Sequence, residues 1–533
     1  VAAPTQPTVR EATRQLMREL GMTTVFGNPG STELGFLADW PDDFRYVLAL
    51  QETSVLSMAD GFAQYSGNAA MVNLHSSGGV GHSIGALVTA YKNHTPMVVI
   101  AGQQARDLLT GEPFLGSSEA VNLPKPYVKW SVEPARAADV PAAIQRAYQM
   151  ATQPPYGPTL VSVPADDWDA PAEPVRARPR VHGYPPDPAA VHEIVGALNA
   201  SERPAIVVGG AVDADGAVDD VVALAERAGA RVLASPMSGR CSFPEEHPLF
   251  AGFLRPARRS LDETLAAYDL VLVLGAPAFV QHVQSPPGPS LPPLYVISDD
   301  PVELAWSEGN GVRGTPRLSV RALLDGPDGS GGVKPGRDWP EPVPAAAPPA
   351  RSEPMTAAYA LRQIAGVVPE DVVVVEEIPS HRNEMHRHFP IRGGGGFLTM
   401  QSGALGFSVP AAVGVSLAQP KRPVLALVGD GSSMYAFQGL WTAVREQTPV
   451  TFVVLDNAQY AALSSLADAV GADKVPGLDL GGIDFVGLAR SLGCAAEKVS
   501  SPEDLAPAVR RAMSAGEPML LHVPVASGYE RLY

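Results

Sequence analysis

The chain has 533 residues, too many for one ordinary domain and suited to three. Apolar residues make up 45% and charged residues only 18%, which leaves ample material for large buried cores. With 56 acidic against 39 basic residues the formal charge is −17, and this argues against nucleic acid or an anionic membrane as partner, because a phosphate polyanion would be repelled.

The first third, residues 1–170, reads as a doubly wound α/β unit. Helix-like TVREATRQLMREL leads into TTVFG, and FRYVLAL, AAMVNLH and PMVVIAG follow as apolar runs of strand length. Helix-like ETSVLSMADGFAQYSG and GHSIGALVTAYKN lie between them, and PTLVSVPADDWD closes the unit. Short buried strands alternating with helices imply a parallel sheet with ligands at the C-terminal strand ends. A polar, Pro-rich linker is expected at 171–188. A second unit, 189–324, carries strands at PAIVVGG, ARVLAS, DLVLVLGAP and PLYVISDD. The stretch 325–354, rich in Pro and Gly, cannot bury a core and should run over the surface. The pattern restarts in 355–533 with the helix MTAAYALRQIAGVV and strands at DVVVVEE, PVLALVGDGS, VTFVVLDN and PMLLHVPV. The fold expected is therefore α/β, three consecutive doubly wound parallel-sheet domains. Two cysteines, Cys241 and Cys494, build no disulfide framework, and no window approaches the roughly 20 apolar residues of a membrane span. The opening VAAPTQPTVREATRQLM has no basic region followed by an apolar one, so the expectation is a cytoplasmic protein.

The strongest chemical signal starts at Val424. VLALVGDGS is a buried strand ending in Gly429, Asp430 and Gly431, and 27 residues after Asp430 the strand VTFVVLD ends at Asn457. In a parallel sheet both ends open on one edge, where Asp430 and Asn457 can give hard oxygen ligands to one Mg²⁺ whose other ligands are diphosphate oxygens, a backbone carbonyl and water. The glycines let the backbone approach the phosphates, and a helix N-terminus favours their charge.

This pair resembles the thiamine-diphosphate motif, GDG followed after nearly thirty residues by Asn. VFGNPGSTELGFL, FRYVLALQE, NLHSSGG, LPKPYVKW, LVLVLGAPAF, GALGFSVPAAVGV and VPGLDLGGIDF resemble, in the same order, segments of the pyruvate-decarboxylase-like thiamine-diphosphate decarboxylases, and within these the benzoylformate decarboxylases. The resemblance implies a pyrimidine-binding first domain, a middle domain and a diphosphate-binding last domain. The cofactor would lie between the first domain of one subunit and the last of another, in a homotetramer built as a dimer of dimers. It also implies thiamine diphosphate and Mg²⁺ as cofactors, a 2-oxo acid as substrate, decarboxylation through a covalent enamine on the cofactor, carboligation as a side activity, and a place in mandelate catabolism.

Residue by residue, Glu52 follows the apolar strand YVLALQ, a poor place for an uncompensated carboxylate. Read alone it is an exposed loop acid; by resemblance it hydrogen-bonds the cofactor's aminopyrimidine ring and activates it. Ser31, after Asn28-Pro29-Gly30, read alone is at least as well a helix N-cap; by resemblance it is a hydrogen-bond partner of the substrate carboxylate or carbonyl. His75 and His282, structural histidines as isolated residues, match the family's paired active-site histidines. Leu405 would wedge the two cofactor rings apart, and Gly403 would offer its carbonyl to the exocyclic amine. Pro379, Ser380, Gly429, Gly431, Ser432 and Tyr460 complete the cofactor contacts, and the backbone carbonyl of Gln459 joins Asp430 and Asn457 on the metal. Thr32, Ala462, Leu463 and Leu466 would line the substrate pocket.

Thr32, Glu376, Asp456 and Leu466 depart from the family pattern. Glu376, expected near the diphosphate, would repel it there. His381, His386 and His388 fit no standard zinc spacing and read as a solvated helix end. Gly393 to Gly396, with no strand before and no helix after, read as a flexible loop. The GAP after LVLVL is no dinucleotide fingerprint, and no motif demands FAD. The rival readings are an acetohydroxyacid-synthase-like carboligase, a decarboxylase for another 2-oxo acid, and a silent cofactor-binding scaffold.

Overall fold

The structure, a computed structural model, describes residues 6–180, 183–329 and 331–528. Among the described residues, eighteen strands form three sheets of six. The first holds β1 (Thr24–Gly27), β2 (Arg45–Leu48), β3 (Ala70–Leu74), β4 (Met97–Gln103), β5 (Trp130–Val132) and β6 (Pro158–Pro164). The second holds β7 (Pro204–Val208), β8 (Arg231–Ala234), β9 (Phe250–Phe253), β10 (Leu270–Leu274), β11 (Leu294–Ser298) and β12 (Asn310–Arg313). The third holds β13 (Val373–Glu377), β14 (Phe397–Thr399), β15 (Val424–Gly429), β16 (Val450–Asp456), β17 (Ala495–Lys498) and β18 (Met519–Pro524). Every pairing between these strands is parallel, so the α/β fold read from the sequence is the observed one.

The first and third sheets share one strand order, β2-β1-β3-β4-β6-β5 and β14-β13-β15-β16-β18-β17. The middle sheet runs β12-β11-β10-β7-β8-β9, the dinucleotide-fold order. Each has a switch point where consecutive connections leave in opposite directions: between β1 and β3, between β7 and β10, and between β13 and β15. Central strands such as β3 and β4 are buried along their whole length because helices cover both faces.

The outer units are not separate bodies. The helices Glu52–Ser66 and Ser408–Ala418 cross so closely that their residues join both domains in one core, with Val55, Leu56 and Met58 beside Ala411, Ala412 and Val415. The middle unit is pinned by the buried pair Arg240–Asp213 at 2.6 Å; Arg240 also donates to Gln64 Oε1 at 2.7 Å, and Asp213 accepts from the Gly395 amide at 2.7 Å. Tyr65 donates to the Gly395 carbonyl at 3.0 Å, so the tetraglycine stretch is a junction of three units rather than the free loop its composition suggests. Residues 331–354 have no strand or helix; Arg337 donates to the carbonyls of Ala228 and Leu198 in the middle unit, Val333 is buried, and Arg351 pairs with Glu503 of the third unit. Both cysteines are buried and unbridged, and among the described residues no helix is long and apolar enough to cross a membrane.

Candidate active site

The switch point of the third sheet opens into a cavity of about 340 Å³. From the end of β13 come Pro379 and Ser380, from β15 Gly429, Asp430, Gly431 and Ser432, and from beyond β16 Asn457, Gln459, Tyr460, Ala462 and Leu463, with Leu405 facing them. All were singled out in the sequence. Ile378, His381, Tyr435 and Leu455 line it as well. A larger cavity, about 650 Å³, sits at the opposite, N-terminal edge of this sheet among Arg362, Glu370 and Arg392; a parallel sheet binds ligands at the other end.

Asp430 begins a short helix directly after β15 and is buried. Its Oδ1 accepts from the Gly431 amide at 2.7 Å, whereas Oδ2, equally buried, has no partner. Burial first, with Asp456 close by, pushes its carboxyl up to about 6. Such an orphaned oxygen calls for a cation. Asn457 Oδ1 accepts from the Gln459 amide at 3.2 Å, and the loop is braced by hydrogen bonds from Tyr460 to Leu478 and from Leu480 to Ala458. At Gly431 a Cβ would lie 2.4 Å from the Tyr460 ring, so any side chain there would have to displace that ring. Asp456 is taken up elsewhere: His522 Nε2 lies 2.7 Å from Oδ2 and holds the carboxyl below the ordinary range.

The first sheet forms the other cluster at its own switch point. Glu52 is the first residue of its helix, 7% exposed, and accepts from Asn28 Nδ2 at 3.0 Å, while His82 Nδ1 lies 3.2 Å from Oε2. Ser31 is exposed at the start of the turn after β1. Thr32 is buried, its hydroxyl 3.0 Å from His75 Nδ1, and Glu33 Oε2 is 3.2 Å from the same nitrogen. Thr32 thus backs the histidine instead of facing open space. Gly30 packs on that ring, with a Cβ there only 2.4 Å from Nδ1. Neither Glu33 nor His82 was expected from the sequence.

Ser31, Thr32, Glu52, His75 and His282 do not line the cavity of their own chain. His282 is exposed after β10, its amide donating to the Pro256 carbonyl. Gly403, left-handed at φ 73° and exposed, and Leu466, half-buried, also stand outside it.

Two sequence expectations are corrected. Glu376 is fully buried and does not line the cavity: its oxygens accept from the Ile378 amide at 2.5 Å and Arg382 Nε at 2.7 Å, so its charge is met within the chain. Arg382→Met strands that carboxylate and should destabilise the protein by about 3 kcal/mol, read from denaturation midpoints. The histidines of 381–388 are not solvated: His381 and His388 are buried, His386 lies 2.7 Å from Glu245 of the middle unit, and His381 Nε2 stands 3.4 Å from Asn457 Nδ2. Among the described residues the only three His, Cys, Asp or Glu side chains close enough together to share a metal ion are His94, Asp300 and Glu303, and none of the histidines of 381–388 is among them.

Three family models cover the chain: the N-terminal TPP binding domain of thiamine pyrophosphate enzymes over residues 7–119, the central domain over 191–323 and the C-terminal TPP binding domain over 377–523. A benzoylformate decarboxylase of Pseudomonas aeruginosa is 40% identical, covering 97% of this chain and 98% of that one. A probable acetolactate synthase large subunit of Methanocaldococcus jannaschii is 25% identical over 97% and 91%. Among solved structures, benzoylformate decarboxylase from Polynucleobacter necessarius aligns with TM-score 0.95 at 38% identity, covering 98% of this chain and 99% of that one. The thiamine diphosphate-dependent 4-hydroxybenzoylformate decarboxylase of Rhodococcus jostii aligns with 0.93 at 38%, covering 98% and 100%. The chain belongs to the thiamine pyrophosphate enzymes and is a thiamine-diphosphate-dependent carboxy-lyase.

Proposed function

We propose that this carboxy-lyase removes CO₂ from a 2-oxo acid with an aryl or bulky side chain, benzoylformate being the first candidate, and joins the product to a second aldehyde as a side activity. The observation that carries the reading is the single cavity in which Asp430, with its unpartnered buried oxygen, and Asn457 meet the apolar Leu405, Ala462 and Leu463. Asp430, Asn457 and the Gln459 carbonyl are hard oxygen donors suited to Mg²⁺. Gly429, Gly431, Ser432, Pro379 and Ser380 would receive the diphosphate, Tyr460 would close over it, Gly403 would accept from the exocyclic amine, and Leu405 would support the bend between the rings. Thiamine diphosphate, when bound, supplies the carbon nucleophile and the electron sink for decarboxylation.

Glu52 would hold the pyrimidine ring nitrogen and its proton. Ser31 would orient the substrate carboxylate, with Thr32 behind it, and His75 and His282 would give and take protons at the reacting carbon and its oxygen. Ala462, Leu463 and Leu466 would shape the side-chain pocket. These first- and middle-domain residues lie off their own chain's cavity, so a second copy is taken to complete each site. The assembly proposed is a cytoplasmic homotetramer, a dimer of dimers, with the pyrimidine half from residues 1–170 and the diphosphate half from 355–533. Sedimentation velocity should give a dimer or larger, and a stable monomer with full activity would sink this arrangement.

The direct test is CO₂ release from benzoylformate beside pyruvate and phenylpyruvate, with thiamine diphosphate and Mg²⁺. Strong preference for benzoylformate is expected; turnover confined to another acid would keep the chemistry and reject the substrate. A carboligase is the second reading, favoured by the acetolactate synthase relative, and it predicts that product depends on an added acceptor aldehyde. Removing the metal ligand in Asp430→Ala, or the metal with a chelator, should weaken cofactor binding about a hundredfold, measured by fluorescence titration.

A further inference from the structure

Glu52 is held at both oxygens. Asn28 reaches Oε1 from the turn after β1, and His82 reaches Oε2 from the helix Ser76–Lys92. A carboxylate oxygen only accepts, so Nδ1 of His82 carries the proton in this contact. The backbone is tied in too, since Thr53, next to Glu52, donates from Oγ1 to the His82 carbonyl at 2.9 Å. His75, the extended residue just before this helix, is turned to Thr32 and Glu33 and does not compete for Glu52.

With Asn28 alone the carboxylate could swing about its terminal torsion, which is broad; a donor on the other oxygen fixes its plane. We propose that His82 is a positioning residue, holding Oε2 so that Glu52 stands oriented to receive the cofactor's pyrimidine ring. This rests on the activating role proposed for Glu52. The side chain of His82 is 70% exposed and that of Glu52 9%, so the histidine can be replaced without opening a core.

An asparagine carries its Nδ2 donor the same number of bonds from Cα as the Nδ1 of histidine, which makes it the conservative replacement. The experiment is a fluorescence titration of the full chain with thiamine diphosphate and Mg²⁺. His82→Ala should raise Kd about tenfold, the loss of one charge-assisted hydrogen bond, and His82→Asn should stay within about threefold of the unaltered chain. In a Glu52→Ala background, His82→Ala should change Kd by less than about twofold, because the group it positions is gone. An unchanged Kd for His82→Ala, an asparagine variant as weak as the alanine one, or an equal loss in the Glu52→Ala background would each overturn the inference. Failure of the underlying reading would show differently, as no cofactor binding by the unaltered chain or as undiminished decarboxylation by Glu52 variants.

Discussion

Glu52→Gln is expected to lower kcat for decarboxylation by about a thousandfold while leaving the fold intact, within the range typical of a removed acid–base group. The carboxylate sits at the first position of a helix, 7% exposed, with a neutral amide on one oxygen and an imidazole on the other. Glutamine keeps the volume and one accepting oxygen but neither the negative charge nor the capacity to take a proton. Binding should therefore suffer less than turnover: the loss appears in kcat, with a change in cofactor Kd of about tenfold or less. Initial rates of CO₂ release at saturating cofactor, beside a fluorescence titration, separate the two. A variant within about threefold of wild-type kcat would show that Glu52 is only a structural acid closing the helix start.

The residues legible in the sequence are those whose surroundings are local. Central strands announce themselves as unbroken apolar runs because both faces are covered. The strands that escaped notice, β5, β9, β12, β14 and β17, are all sheet edges, and most are short and half-exposed, so no apolar run marks them. In the site, Asp430 and Asn457 were readable because strand ends and glycines flag them, and their neighbours follow in the same loops. Glu33 was not, because an acid three residues after a glycine looks like an ordinary first-turn residue; its partners are the Gly30 amide and His75, which follows β3. His82 was not either: it lies inside the helix Ser76–Lys92, and its partner Glu52 starts a different helix thirty residues earlier in the chain. The histidines of 381–388 looked solvated because their partner, Glu245, is in another domain, and nothing near them in the chain reports it.

Gly414→Ala should destabilise the protein by about 3 kcal/mol, at the upper end for overpacking, which for a 533-residue chain lowers the melting temperature by about 3 °C. The added Cβ would lie 1.9 Å from the Met58 carbonyl oxygen and 2.8 Å from the Phe62 amide nitrogen, both backbone atoms that no rotamer change can move. Gly61 on the facing helix is in the mirror situation, with a Cβ 2.2 Å from the Ala411 carbonyl, so each helix uses a glycine to admit the other's backbone. Separation of the helices opens the core shared by the first and third domains and also moves Glu52, which starts one of them. Activity should accordingly fall before unfolding is complete, and the effect should grow from alanine to valine. Gly196→Ala is the control: that glycine is exposed in the helix Pro188–Ala200 with nothing within 4 Å of a new Cβ, and the substitution should stabilise by about 0.5–1 kcal/mol. Differential scanning calorimetry of both variants reads opposite signs if the close approach at Gly414 carries the interface. Equal small shifts would mean that the helices relax apart at little cost, and that Gly414 is no keystone of the packing that places Glu52.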